Sequence, residues 1–158
     1  MMRRLPALVV LLALLPGLGA CGFSPLYGDG PRGGAEAQLT AMEIAPQTTR
    51  TGQLIRNAML EGIAPARAGG GRYRLSFTAK ESVGTKRLVL DVDYVLSDRQ
   101  TGKVLTTGKT FADISYAETR QPVADIQAQK NAREAAARVV ARDIRTRLAA
   151  WLAAHGRA

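Results

Sequence analysis

Apolar and polar residues alternate without interruption from Arg72 to Lys80, with Tyr73, Leu75, Phe77 and Ala79 on one side and Arg72, Arg74, Ser76, Thr78 and Lys80 on the other. A period of two describes a strand buried on one face, here with a basic outer face. A turn over Ser82–Thr85, around Gly84, leads into Lys86–Ser97. There Leu88, Leu90, Val92, Tyr94 and Leu96 share a face, and Val89, Asp91, Asp93 and Val95 share the other. Asp98-Arg99-Gln100-Thr101-Gly102 reads as a hairpin connection with its glycine late in the loop. A further strand follows over Lys103–Ser115, with Gly108 marking a bulge or a close approach.

From Pro122 to about Ala154 the period lengthens. Ala132, Ala136, Val140, Ile144, Leu148 and Leu152 recur every fourth residue, widened by Val139 and Trp151, and Pro122 suits a first helical turn. Before the three strands, Leu39–Ala45 reads as a strand ended by Pro46, and Thr51 caps a helix over Gly52–Gly62 that gathers Ile55, Ala58 and Met59 on one face. Ala64–Gly71 is a loop. An apolar helical stripe needs a surface to cover, and the meander's inner face supplies it. The expected fold is therefore α+β, in the order βαβββα: a two-layer sandwich of two helices on a four-stranded, mostly antiparallel sheet, in one domain over residues 38–158.

The N-terminus has a different pattern. Met1-Met2-Arg3-Arg4 is basic, Leu5–Leu15 is apolar but for Pro6, and Gly17-Leu18-Gly19-Ala20 precede Cys21, the chain's single cysteine. A basic start, an apolar run too short to span a bilayer and small residues before a cut site describe a secretory signal peptide over residues 1–20. Residues 21–37, rich in glycine with Phe23, Leu26 and Tyr27 as the large apolar residues, read as a flexible tether. A lone cysteine is a buried filler, a reactive thiol, a metal ligand or an attachment point. Leu18-Gly19-Ala20-Cys21 resembles the lipobox of bacterial lipoproteins, which makes Cys21 the site of a covalent S-diacylglycerol and an N-acyl chain, palmitate among the acyl groups. Two or three chains hold a protein to a membrane durably where one does not.

Composition narrows the chemistry. The 158 residues carry 22 Lys and Arg against 13 Asp and Glu, a formal net charge of +9. His155 has no paired nucleophile and no second cysteine to complete a zinc set, so neither catalytic nor metal-binding residues are expected, nor any dissociable cofactor. Secretion and the lack of a recognised motif argue against nucleic acid as the partner of the positive charge. The remaining anions outside the inner membrane are phosphorylated lipid head groups and lipopolysaccharide. Arg72, Arg74, Lys80, Lys86 and Arg87 form the candidate basic patch for them, arginine by bidentate hydrogen bonds and lysine as a point charge. The equally simple alternative is a solvated face, and it is favoured for Arg133, Arg138, Arg142, Arg145 and Arg147 of the long helix.

Cys21-Gly22-Phe23-Ser24-Pro25-Leu26-Tyr27-Gly28 resembles the mature N-terminus of the LptE family of lipopolysaccharide-assembly lipoproteins, in the form Cys-Gly-Phe-x-Pro-Leu-Tyr-Gly. The resemblance continues through Arg50–Asn57, Tyr73-Arg74-Leu75 and Ile144-Arg145-Thr146-Arg147-Leu148. It implies a non-enzymatic protein on the periplasmic face of the outer membrane, lodged as a plug in an LptD-like β-barrel and aiding delivery of lipopolysaccharide to the outer leaflet. It also implies two helices on a four-stranded sheet. The competing expectation is an accessory lipoprotein of an inner-membrane lipid-transport ATPase system. Gly22 bears on the choice, because aspartate at the second mature position is a common inner-membrane retention signal and is absent here.

Overall fold

The computed structural model describes residues 39, 42–61, 71–117 and 121–155. The expected signal peptide, Cys21 and the tether lie outside the described residues. The elements are β1 (Glu43–Ile44), α1 (Arg50–Glu61), β2 (Tyr73–Gly84), β3 (Arg87–Asp98), β4 (Val104–Ser115) and α2 (Pro122–His155). They form the expected α+β order, with the sheet running β1-β2-β3-β4. β2, β3 and β4 make an antiparallel meander, while β1 runs parallel to β2 through the pairs Glu43–Arg74 and Ile44–Leu75.

Alternation decides which face is covered. Leu75 and Phe77 of β2, Leu88, Leu90, Val92, Tyr94 and Leu96 of β3, and Ala112 of β4 point to the inner face and are buried. Over them lie Ile55 and Met59 of α1 and the stripe Ala132, Ala136, Val140, Ile144, Leu148 and Leu152 of α2, joined into one core. Trp151, packed against this core, meets the Tyr73 ring at right angles with centroids 6.4 Å apart.

Several expectations need correction. β1 is two residues long rather than seven, although Leu39, Met42 and Ile44 are all buried; Thr40 and Ala41 lie outside the described residues. The cap of α1 is Thr49, not Thr51: Thr49 Oγ1 accepts the Gly52 N–H at 3.1 Å, and its carbonyl accepts the Gln53 N–H at 2.9 Å. β2 continues past Lys80 to Gly84, and the turn shrinks to Thr85 and Lys86. Val139 does not widen the buried stripe but is exposed.

Gly108 is a close approach, not a bulge. It faces Tyr94 across the β3–β4 ladder, and a Cβ there would fall 2.4 Å from the tyrosine ring. The irregularity lies further along, where Leu96 opposes Thr106 but Ser97 opposes Val104, leaving Leu105 extra. In the β3–β4 connection Gly102 takes a positive φ of 70°, the left-handed conformation that glycine adopts without steric cost. Asp98 organises the same loop: its Oδ1 accepts the N–H groups of Gln100 and Thr101 at 2.9 and 3.0 Å.

Candidate functional site: the charged sheet face and the helix groove

The strand period sends alternate side chains of the meander away from the helices. The five basic residues singled out in the sequence lie along or beside this outer face, but not as one cluster. Arg72 and Arg74 are at the end of β2 that pairs with Ser97 and Asp98, Lys80 is midway, and Lys86 and Arg87 are at the opposite turn. From Arg74 to Gly84, the partner of Arg87, is ten residues, roughly 33 Å at about 3.3 Å per residue.

Most of their charge is answered locally. Arg72 Nε lies 3.2 Å from Asp98 Oδ2, and its guanidinium sits 5.8 Å from the Tyr73 ring centroid. The Asp98 carboxyl is held below the usual carboxylate range, first by the Thr101 N–H and then by Arg72. Arg74 and Arg99 share Glu43, at 3.3 and 3.0 Å. Arg87 forms a two-pronged pair with Asp113, which holds that carboxyl low and raises the guanidinium. Lys109 of β4, on the same face, is 2.9 Å from Asp93. Lys80 and Lys86, by contrast, have no ion pair among the described residues, although Lys80 stands opposite Asp91 in the register.

Two features of the layer above the sheet carry no period that a sequence reading detects. The first is an ion pair on the inner face. Position 81 continues the inward-facing series of β2, and there a glutamate meets Arg133 of α2: Arg133 Nε donates at 2.9 Å and Nη2 at 2.6 Å. Thr51 of α1 donates its hydroxyl to the same carboxylate at 2.5 Å. The Arg133 contact holds the Glu81 carboxyl below its ordinary value against the opposing effect of burial, and Glu81 in turn raises Arg133. Three elements are thereby tied at one carboxylate.

The second is an open groove of about 250 Å³ between α1 and α2, lined by Ala58, Glu61, Arg138, Arg142 and Arg145. The arginines recur at i, i+4 and i+7, so they lie on one ridge of α2. By spacing alone they read as a solvated face, and Arg138 and Arg142 are indeed exposed. The signal that distinguishes them is their shared spacing with Ala58 opposite, visible only once the two helices are docked.

Comparison with known proteins gives the fold a context. No protein-family model matches the chain, and no curated protein matches it. Among solved structures, a candidate lipoprotein from Caulobacter crescentus CB15 superposes with a TM-score of 0.68 and 29% identity, over 75% of this chain and 96% of that one. A minor lipoprotein from Acinetobacter baumannii superposes with a TM-score of 0.50 and 17% identity, over 69% of this chain and 88% of that one, a likeness of fold alone. The two-helix, four-stranded architecture described here is therefore one that bacterial lipoproteins share.

Proposed function

We propose that the chain is an outer-membrane lipoprotein, anchored through acyl chains on Cys21, that plugs an LptD-like β-barrel, helps it assemble and takes part in moving lipopolysaccharide to the outer leaflet. The observation that carries this reading is the stretch Cys21–Gly28, which joins a lipobox to the LptE-type octapeptide. The α+β fold supports it, as does the likeness to a bacterial lipoprotein over 75% of this chain. A plug makes its contacts through a rigid surface and needs no catalytic group.

Affinity purification of the chain from membranes is expected to bring down a large β-barrel protein. A clean monomer, or fractionation with the inner membrane, overturns the reading and favours the inner-membrane alternative. Cys21→Ser is expected to abolish palmitate labelling and release the chain from isolated membranes stripped of the barrel, with circular dichroism unchanged. Full membrane retention under those conditions would show that Cys21 is not the tether.

The basic patch enters the proposal in a sharper form. Arg72, Arg74 and Arg87 are engaged with acids, so Lys80 and Lys86 are the members whose charge is left to meet a phosphorylated lipid. Lys80→Gln with Lys86→Gln is expected to weaken lipopolysaccharide binding roughly tenfold, the equivalent of about 1.4 kcal/mol. Both side chains are exposed, so thermal stability should hold. Unchanged binding removes the patch from the proposal.

A further inference from the structure

Among the described residues β4 is the outermost strand of the sheet, and its far side has no partner. Its twelve residues extend roughly 40 Å at about 3.3 Å each, whereas the opposite edge, β1, is two residues long. A long open edge is a template for another strand.

The ladder fixes which groups that edge presents. Tyr116 N–H donates to Lys86 carbonyl oxygen at 3.0 Å, in the register that sets Arg87 opposite Ser115. Even-numbered residues up to the bulge therefore exchange their hydrogen bonds with β3. Thr107, Lys109, Phe111, Asp113 and Ser115 turn their N–H and C=O groups outward. The same five carry their side chains on the outer face, where Phe111 is 67% exposed.

We propose that β4 is the interface between two copies of this chain, paired antiparallel about a two-fold axis at Phe111 to give one eight-stranded sheet. Charge selects the register. With Phe111 opposite the partner's Phe111, Lys109 stands opposite the partner's Asp113, and symmetry repeats that match. A shift of one step either way leaves both charges unmatched. A shift of two steps sets lysine against lysine or aspartate against aspartate. The favoured register continues pairs already present, since Lys109 is held by Asp93 and Asp113 by Arg87, so charges alternate across the seam. Five residue pairs contribute about ten backbone hydrogen bonds.

The helix layer is compatible with this. α2 packs against β4 as well as β3, and against the opposing effect of burial Thr110 of β4 helps hold the Asp143 carboxyl of α2 low, so that ridge of α2 lies near the edge strand. Val139, one turn earlier on the same ridge, is 43% exposed. The two-fold brings this valine toward the partner's α2, giving an isologous contact that closes and leaves no long free edge.

The test uses the full chain in detergent micelles with Cys21→Ser, so that an introduced thiol is unique and lipidation plays no part. Residues in a hydrogen-bonded antiparallel pair have Cα atoms about 5.5 Å apart, within disulfide reach. Under diamide, Phe111→Cys is expected to convert mostly to a covalent dimer. Lys109→Cys and Asp113→Cys should each stay monomeric alone and cross-link when mixed. Phe111→Pro, which deletes an N–H that the β3 ladder does not use, is expected to shift sedimentation from dimer to monomer with circular dichroism intact. Two results overturn the proposal: a Cys21→Ser parent that sediments as a monomer at about 100 μM, or Phe111→Cys cross-linking no faster than the exposed helical control Lys130→Cys. A monomeric parent whose Phe111→Pro variant loses barrel co-purification would assign the edge to a barrel strand, which also overturns the dimer while leaving the plug reading standing.

Discussion

Replacing Ile144 by alanine is expected to cost about 2–5 kcal/mol, the range for emptying a fully buried aliphatic site. Ile144 has no exposed surface and lies midway along the α2 stripe, over the strands of the meander. It belongs to the single core that both helices share with the sheet, so neighbours cannot close the space without moving α2 as a whole. The magnitude matters because a domain of this size is held by only about 5–15 kcal/mol in total. A loss of about 3 kcal/mol lowers Tm by roughly 10 °C in a fold of this length. Thermal melts of Ile144→Ala against Lys130→Ala, an exposed site on the same helix, check it: the control is expected to stay within about 0.5 kcal/mol of the parent. Equal melts would mean that the helix does not bear on the sheet as described.

The second large effect concerns the carboxylate that ties three elements together. Glu81→Gln is expected to cost about 2–3 kcal/mol at pH 7, below the full penalty for orphaning a buried ion because the Arg133 side chain keeps 25% of its exposure and Glu81 17%. The loss arises less from the missing attraction than from the guanidinium left with no anion in a half-buried place. Acid should erase the difference. Glu81 has a folded pKa below its ordinary 4.5, so the folded state gives up the proton more readily than the unfolded chain. Its contribution is complete above about pH 4.5 and is lost as the pH falls through the lowered folded value. Denaturant titrations should therefore show a wide gap between parent and Glu81→Gln at pH 7 that narrows toward pH 3. A gap independent of pH would show that the pair is not the source. Replacing both partners, as Glu81→Leu with Arg133→Met, should recover much of the loss, because neither ion is then left alone.

Glu81 also explains where the sequence stopped being readable. Tyr73 to Ala79 alternate so cleanly that β2 is unmistakable, yet a charge at the next inward position reads as the end of the strand. The strand continues because Arg133, 52 residues later, supplies the counterion, and no local pattern encodes that pairing. The same reason hides the partners of the basic patch: Asp98, Glu43 and Asp113 lie 26 to 31 residues from the arginines they hold. β3 and α2 were legible because each repeats its period many times. The presence of β1 was legible within Leu39–Ala45, but not its extent, since a strand of two residues has no period, nor its parallel pairing, which depends on where α1 returns the chain. Thr49 and Thr51 are equally good caps by composition, and only the direction of the Gly52 N–H separates them. Val139 fits the α2 stripe by spacing, but in the docked helix it stays exposed.

The shortness of β1 has a mechanical meaning. Within the proposed anchoring, any pull on the protein arrives from the N-terminal side, and the first strand it meets among the described residues is Glu43–Ile44, held to β2 by two residue pairs. The meander behind it is held by twelve pairs between β2 and β3. Load would therefore peel β1 away and strain α1 before it reaches the sheet, so the seam acts as a fuse. The anchor could be tugged, or the lead lengthened by the unpaired segment, while the surface built from β2, β3, β4 and α2 keeps its shape.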